Sequence, residues 1–349
     1  MTAGAPTVQL QHVRCSLCDA DDAELIGRGT DHEYHSAPDT FRMVRCRRCT
    51  QVYLDPRPDA GSLDAIYPAS YYAYELTKKR RAARKSSDSW LASFMSQRAE
   101  ERLQTYTARV RRPSRRSYRI LDIGCGDGAP LTVWRRALER GDGRSDEPAE
   151  VESCGVEMNA EAAEIARASG HRVFTARVED AALEEGSFDL VYSSHVIAHV
   201  ENPLSFLAGA RRAVRPDGLV LIDTPNVDTI DFRLFGRGAW GAYHFPRHFS
   251  LYDAHTITAL AGKAGLEVVE IAYEPSAIFW VWTMHALLEP RAASLAGKLF
   301  PPVDIYTRAS PWNVALLTGF TLLDRTIIGA TGKGAQMRVL MRPRGERVS

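Results

Sequence analysis

The sequence predicts an α/β fold: a doubly wound, seven-stranded, Rossmann-like sheet, preceded by a small cysteine-built module and a helical bridge. Three observations carry this expectation. After Arg119, short apolar runs alternate with helical stretches. The first run ends in a glycine turn, "LDIGCGDGAP". Four of the cysteines form two C-x2-C knuckles, Cys15 with Cys18 and Cys46 with Cys49. Regular β–α alternation argues a mainly parallel sheet with helices on its faces.

Residues 8–55 read as short β segments ("LIGRG", "FRMVRC", "QVYL") around the knuckles. Four thiolates in two chelating pairs can close a tetrahedral Zn2+ site with no position left for catalysis, so a zinc-ribbon-like module with structural zinc is expected. The spacer between the pairs is longer than the roughly 15–20 residues common in such sites, which leaves a rubredoxin-like iron site or unmetallated thiols open. His12, His32 and His35 lie nearby and are read as surface or packing residues, because the cysteines already fill the shell. Residues 56–117 turn helical, with two basic clusters, "KKRRAARK" and "RVRRPSRRSYR". No aromatic interleaving accompanies that charge, so a solvated linker is preferred to a nucleic-acid grip.

The core is expected over 118–275. Its strands are "YRILDIG", "ESCGVEM", "HRVFTARV", "SFDLVYSS", "GLVLIDTPN" and "LEVVEIAYE". A hydrophobic segment, 276–330, interrupts the alternation, and 331–349 supplies a last strand, "AQMRVLMRPR", and a tail. After so long an excursion the seventh strand should lie antiparallel beside the sixth. In such sheets ligands sit over the carboxyl ends of the strands. Gly124, Gly126 and Gly128 let the backbone turn sharply there and approach a ligand, with the amides of the next helix as donors. Gly124, Gly126 and Ala129 also satisfy G-x-G-x-x-G/A, with Glu157 ending the second strand, so an NAD fold is a rival. Asp122, two residues before the first glycine, and the order of the fourth and fifth strand motifs shift the balance away from it.

Together "LDIGCGDG", "GVEMN", "FDLVYSSHVIAHV" and "RPDGLVLIDTPN" resemble the class I S-adenosylmethionine-dependent methyltransferases, over roughly 118–275 and the last strand. Two knuckles followed by "YLDPRPDAGSLDAIYPASYYAYE" look like the bacterial enzymes that act on secondary metabolites and surface sugars. The His-Gly-Gly segment of the deoxysugar C-methyltransferases is missing, so sugar C-methylation is not carried over. The resemblance implies that Asp122, Gly124 and Gly126 cradle the methionine end of the cofactor. Glu157 would hold both ribose hydroxyls, a task for a bidentate acceptor. Val178 and Glu179, or Asp180, would meet the adenine, and His195 would stand near the methionine portion or the acceptor.

The expected reaction is methyl transfer to a small-molecule acceptor (a natural product, sugar or lipid-linked intermediate), with oxygen favoured over nitrogen or carbon. The candidate bases are His248 and His244, in the aromatic loop "FGRGAWGAYHFPRHFSLY", and then His195. His199, read as one helical turn after His195, is expected to pack or to support the residues that meet the ligand. Val196 stands where a zincin H-E-x-x-H needs glutamate, and Ala198 where related enzymes often carry one, so no catalytic metal is expected. Two rival classes remain: an RNA methyltransferase gripping phosphates with the zinc module and basic clusters, and a non-catalytic cofactor-binding protein.

An apolar content of 45% and a net charge of +1 exclude a disordered or strongly polyanion-seeking chain. The N-terminus lacks the apolar core of a signal peptide. The longest apolar runs, "AIFWVW" and "NVALL", fall short of the roughly 18 residues a span needs, so a cytoplasmic protein is expected. "SAIFWVWTMHALLEP" and "SPWNVALLTGFTLLDRTIIGA" are expected to form helices near the acceptor site, as a lid, a partner surface or a reversible membrane contact.

Overall fold

The computed structural model describes residues 8–68, 70–83, 103, 105–110, 115, 117–140, 150–308 and 310–345. The N-terminal module is built from β1 (Leu10–Gln11), β2 (Ala23–Gly29), β3 (Phe41–Cys46), β4 (Val52–Leu54) and β5 (Arg57–Pro58). Strands β2, β3 and β4 form an antiparallel meander, and β1 pairs with β5. The bridge begins with α1 (Leu63–Ile66) and α2 (Tyr72–Ala83). Its second expected helix lies largely outside the described residues; the turn at 105–110 is helical. There Tyr106 and Val110 are buried in a cluster with Tyr118.

The core follows as β6 (Ser117–Ile123), α3 (Ala129–Arg140), β7 (Glu150–Val156), α4 (Ala160–Ala168), β8 (Arg172–Phe174), β9 (Phe188–Ser194), α5 (Pro203–Ala213) and β10 (Val214–Pro225). It continues through α6 (Ile230–Phe235), β11 (Ser250–Leu251), α7 (Ala254–Lys263), β12 (Leu266–Glu274), α8 (Ala277–Leu299), α9 (Asp304–Thr307), α10 (Pro311–Thr331) and β13 (Gln336–Pro343). Seven strands make one sheet in the order β12-β13-β10-β9-β6-β7-β8. The β10-β9-β6-β7-β8 block is parallel. The last strand is antiparallel beside the sixth, as expected, and its other edge pairs with β10, so it fills the gap between the fifth and sixth. Strand β9 is buried along its length up to Ser194, as a central strand covered on both faces must be. Helix starts are set by local chemistry: Asn159 and Asn202 cap α4 and α5, and Asp253 with Thr256 forms a capping box on α7.

The module is joined to the core through its sheet. Strand β11, from the loop after β10, pairs antiparallel with β4, setting Ser250 opposite Tyr53 and Leu251 opposite Val52. Gln51 Nε2 donates to the Leu251 carbonyl at 2.6 Å, and the Leu54 amide to the Phe249 carbonyl at 3.0 Å. An edge strand with unpaired amides and carbonyls is satisfied this way.

Three local expectations differ from the structure. "HVIAH" is a turn and not a helix. His195 takes a left-handed φ of 57° and its amide donates to the Asp223 carbonyl at 2.9 Å, which ties the chain to the end of β10 and stops a helix from starting. The described arginines of the second basic cluster are engaged by acids: Arg109 with Glu270, Arg115 with Asp189 and Asp217, Arg119 with Glu152 and Glu184. Finally, α10 is by length and composition apolar enough to cross a membrane. The residues Thr318, Gly319 and Thr321 interrupt its apolar runs in the sequence without interrupting the helix.

Candidate active site

The glycine turn after β6 is forced by its surroundings. Gly124 has φ 81°, and a Cβ there would lie 2.3 Å from Val196 Cγ2. The Gly126 amide donates to Glu157 Oε2 at 2.9 Å, and the Asn159 amide to Oε1 at 2.7 Å. Each Glu157 oxygen therefore spends one lone pair on backbone and keeps another for a hydroxyl. Asp122, on β6, is buried, and its Oδ2 has no partner. Burial, then the charges of Glu157 and Asp223, push its carboxyl well up. A cation placed against it would relieve that cost. The residues present thus fit a ligand with an ammonium end and a vicinal diol, as S-adenosylmethionine has.

Val178 is buried beneath Gly209, the Glu179 carbonyl accepts from Arg212 at 3.2 Å, and Asp180 is exposed. Two residues beside Glu157 were not singled out in the sequence. Met158 presents an apolar side chain that is 61% exposed, and Tyr74 faces Asn159 within the field of Glu157. Tyr74, Thr77 and Lys78 of α2 face Asn159, Glu161 and Ala162 across a cleft of about 190 Å3.

Beyond Tyr74 lies a buried cluster drawn from four parts of the chain. Rings of Tyr74 and Tyr71 are 5.5 Å apart, and Tyr71 is 6.1 Å from His244. His244 and His248 are buried, with ring centres 5.0 Å apart. His199 joins them, 4.6 Å from His248 and 5.9 Å from His244. Burial, then neighbouring cationic groups, lowers all three well below the ordinary histidine value. His195 is half-buried, also lowered by burial, and touches Phe279 edge-on at 6.4 Å.

The environments of these rings differ. His248 Nδ1 donates to the Ala242 carbonyl at 2.7 Å. His199 Nδ1 lies 3.1 Å from the Arg247 carbonyl and 3.0 Å from the Tyr67 hydroxyl. His244 Nδ1 stands 2.8 Å from the Glu33 carboxylate, while its Nε2 is buried with no partner. Its ring stacks on Trp282 of α8 at 4.8 Å and 5°. Burial raises the Glu33 carboxyl to about 8.

Next to this pair, Arg247 makes a bidentate contact with Asp31 at 3.0 and 2.8 Å, and its guanidinium lies over the Tyr34 ring at 4.4 Å. Asp31, Glu33 and Arg247 were missed in the sequence. The signals for them were the long inter-knuckle spacer and the titratable run "TDHEYH" inside it.

At the other end of the module, the four cysteine sulfurs lie within 4.8 Å of one another, with Cys15 to Cys49 at 3.4 Å and Cys18 to Cys46 at 3.5 Å. Zinc–sulfur bonds of about 2.3 Å give a tetrahedron with edges of about 3.8 Å, so the donor set fits. Both knuckles use the same turn. The fourth residue after each leading cysteine, Asp19 or Thr50, has positive φ and donates its amide to that cysteine's carbonyl.

A family model described as a methyltransferase domain matches residues 92–271. The chain is similar to the ubiquinone biosynthesis O-methyltransferase of Cereibacter sphaeroides, 29% identical over 48% of this chain and 68% of that one. The Maricaulis maris protein of the same name is 33% identical over 45% and 63%. Among solved structures, a SAM dependent methyltransferase from Archaeoglobus fulgidus aligns with TM-score 0.42 and 17% identity, over 70% of this chain and 93% of that one.

Proposed function

Because the chain belongs to the methyltransferase-domain family and is an S-adenosylmethionine-dependent methyltransferase, we propose that it methylates a hydroxyl of a small-molecule acceptor, with His244 as base and Glu33 behind it. The observation that carries this reading is the unpartnered, buried Nε2 of His244 on an imidazole whose Nδ1 is held by Glu33. A base oriented by a carboxylate is the arrangement that activates a hydroxyl. The name of the relatives, an O-methyltransferase, supports oxygen as the methylated atom.

Asp122, Gly124 and Gly126 would hold the methionine end of the cofactor, Glu157 its ribose, Val178 and Glu179 its adenine, with His195 at the reacting end. The bound cofactor supplies an activated methyl group on a sulfonium. The protein's share is alignment and proton removal. His244 Nε2 would take the proton of the acceptor hydroxyl, and the Glu33 carboxylate would balance the resulting imidazolium. Tyr67 and Tyr71 lie against the cluster, their rings 6.3 Å from His199 and 6.1 Å from His244. The four cysteines would hold zinc in a structural role, well away from this chemistry.

The test is methyl transfer from labelled cofactor to a panel of phenols and sugar alcohols, read by mass spectrometry. His244→Ala and Glu33→Gln should lower turnover by roughly 10²–10⁴-fold while calorimetric cofactor affinity holds. Glu33 is protonated below about 8, so turnover should rise with pH through that value, and Glu33→Gln should remove the rise. Unchanged turnover in both variants, or a loss confined to His248→Ala, would assign the base elsewhere.

A further inference from the structure

Helix α10 is apolar on both its sides: Leu316, Leu317, Phe320, Ile327 and Ile328 are half-buried toward the protein, with Phe320 stacked on Trp280 at 6.0 Å. It is 21 residues long, about 32 Å at 1.5 Å per residue. Its two buried residues are polar. Asn313 Nδ2 donates to the Asp304 and Arg308 carbonyls, both at 2.9 Å. Asp324 accepts from Trp280 Nε1 and the Ser276 amide, both at 2.6 Å. Its outward side carries Trp312, Val314, Leu322 and Leu323, exposed by 40–57%, and Arg325 is its one charge there. From α8, Leu287 and Leu295 extend the apolar surface. A surface helix of a water-soluble protein carries charged and polar residues on its outer face, where α10 carries apolar ones.

The charge around the patch narrows what can cover it. Arg291, Lys298 and Arg325 are exposed and form no ion pair among the described residues, and α10 shows no exposed acid. A second copy meeting this face by two-fold symmetry would set these cations against themselves. An anionic bilayer satisfies both the apolar residues and the cations. We propose that the outer face of α10, with the adjoining part of α8, docks this enzyme on an anionic lipid surface. The helix lies in the plane of the headgroups, because Asn313 and Asp324 fasten its inner side to the protein along its length. Trp312 sits at the headgroup level, where tryptophan is favoured. This inference is independent of the identity of the acceptor.

The test is co-sedimentation of the full chain with phosphatidylcholine vesicles, with and without phosphatidylglycerol. Binding is expected only with phosphatidylglycerol and should weaken with salt. Each cation near such a surface contributes roughly fivefold, so Arg291→Gln, Lys298→Gln and Arg325→Gln together should lower partitioning on the order of a hundredfold. Leu322→Glu with Leu323→Glu should abolish it, with the circular dichroism spectrum and cofactor affinity unchanged, since both side chains are exposed. No partitioning onto either vesicle would overturn the proposal, as would partitioning insensitive to the leucine substitutions. A dimer in light scattering that those substitutions dissociate, without vesicle binding, would assign the face to a second copy.

Discussion

Asp31→Asn should unfold much of what the module contributes to the site. Both partners of the Asp31–Arg247 pair have fully covered side chains. Burial alone would raise the Asp31 carboxyl; the Arg247 guanidinium, hydrogen-bonded at 3.0 and 2.8 Å, overrides it and holds the carboxyl well below the carboxylate range. Removing one charge strands the other in a dry interior, which costs about 3–5 kcal/mol, or on the order of 10²–10⁴ in the folding equilibrium. Arg247→Met should cost the same from the other side. The double variant buries no charge and should lie within about 2 kcal/mol of wild type. Urea unfolding followed by circular dichroism, read as a double-mutant cycle, measures the coupling. Singles costing under about 1 kcal/mol each, or summing additively in the double, would refute the idea that this pair fastens the 31–36 segment to the core.

Three further outcomes are expected. Glu157→Ala should weaken binding of S-adenosylmethionine and of its demethylated product alike, by about 1.5–3 kcal/mol for lost hydrogen bonds to a charged group, as read by titration calorimetry. Chelation, or Cys46→Ser, should release one zinc per chain by elemental analysis and destabilise the module, because metal binding and folding are coupled in such sites. Stability should peak near pH 6.5. Below that, His199, His244 and His248 stay neutral in the fold while the unfolded chain takes up protons, so stability falls by up to about 4 kcal/mol per pH unit. Glu33 acts in the opposite direction: its folded value of about 8 lies above its unfolded one, so its contribution is lost as pH rises from 4.5 through 8. Thermal denaturation across pH 5–9 reads both limbs.

What could be read from the chain was whatever is encoded within a few residues. Strand β6 and its glycine turn are one contiguous stretch, Glu157 follows its own strand directly, and each cysteine knuckle is a local turn around a C-x2-C pair. Hydrophobic period, glycine φ and chelate spacing are local properties, so the sheet, the glycine turn after β6 and the cysteine cluster were legible together. The proposed base was legible only as one of a pair of histidines in an aromatic loop. Choosing between them depends on Glu33, which lies 211 residues from His244 in the chain and reaches it because β11 joins the module's sheet. The "HVIAH" turn likewise depends on a backbone bond to β10, and the exposed apolar face of α10 on which side of the helix Asn313 and Asp324 find their partners. Burial and unpaired atoms are properties of the packed molecule, and no spacing rule in the sequence records them. The sequence by itself therefore determined the class of fold and the cofactor it holds. The tertiary structure decided which side chains lie in the dry interior with a free lone pair, because desolvation depends on every element packed around them.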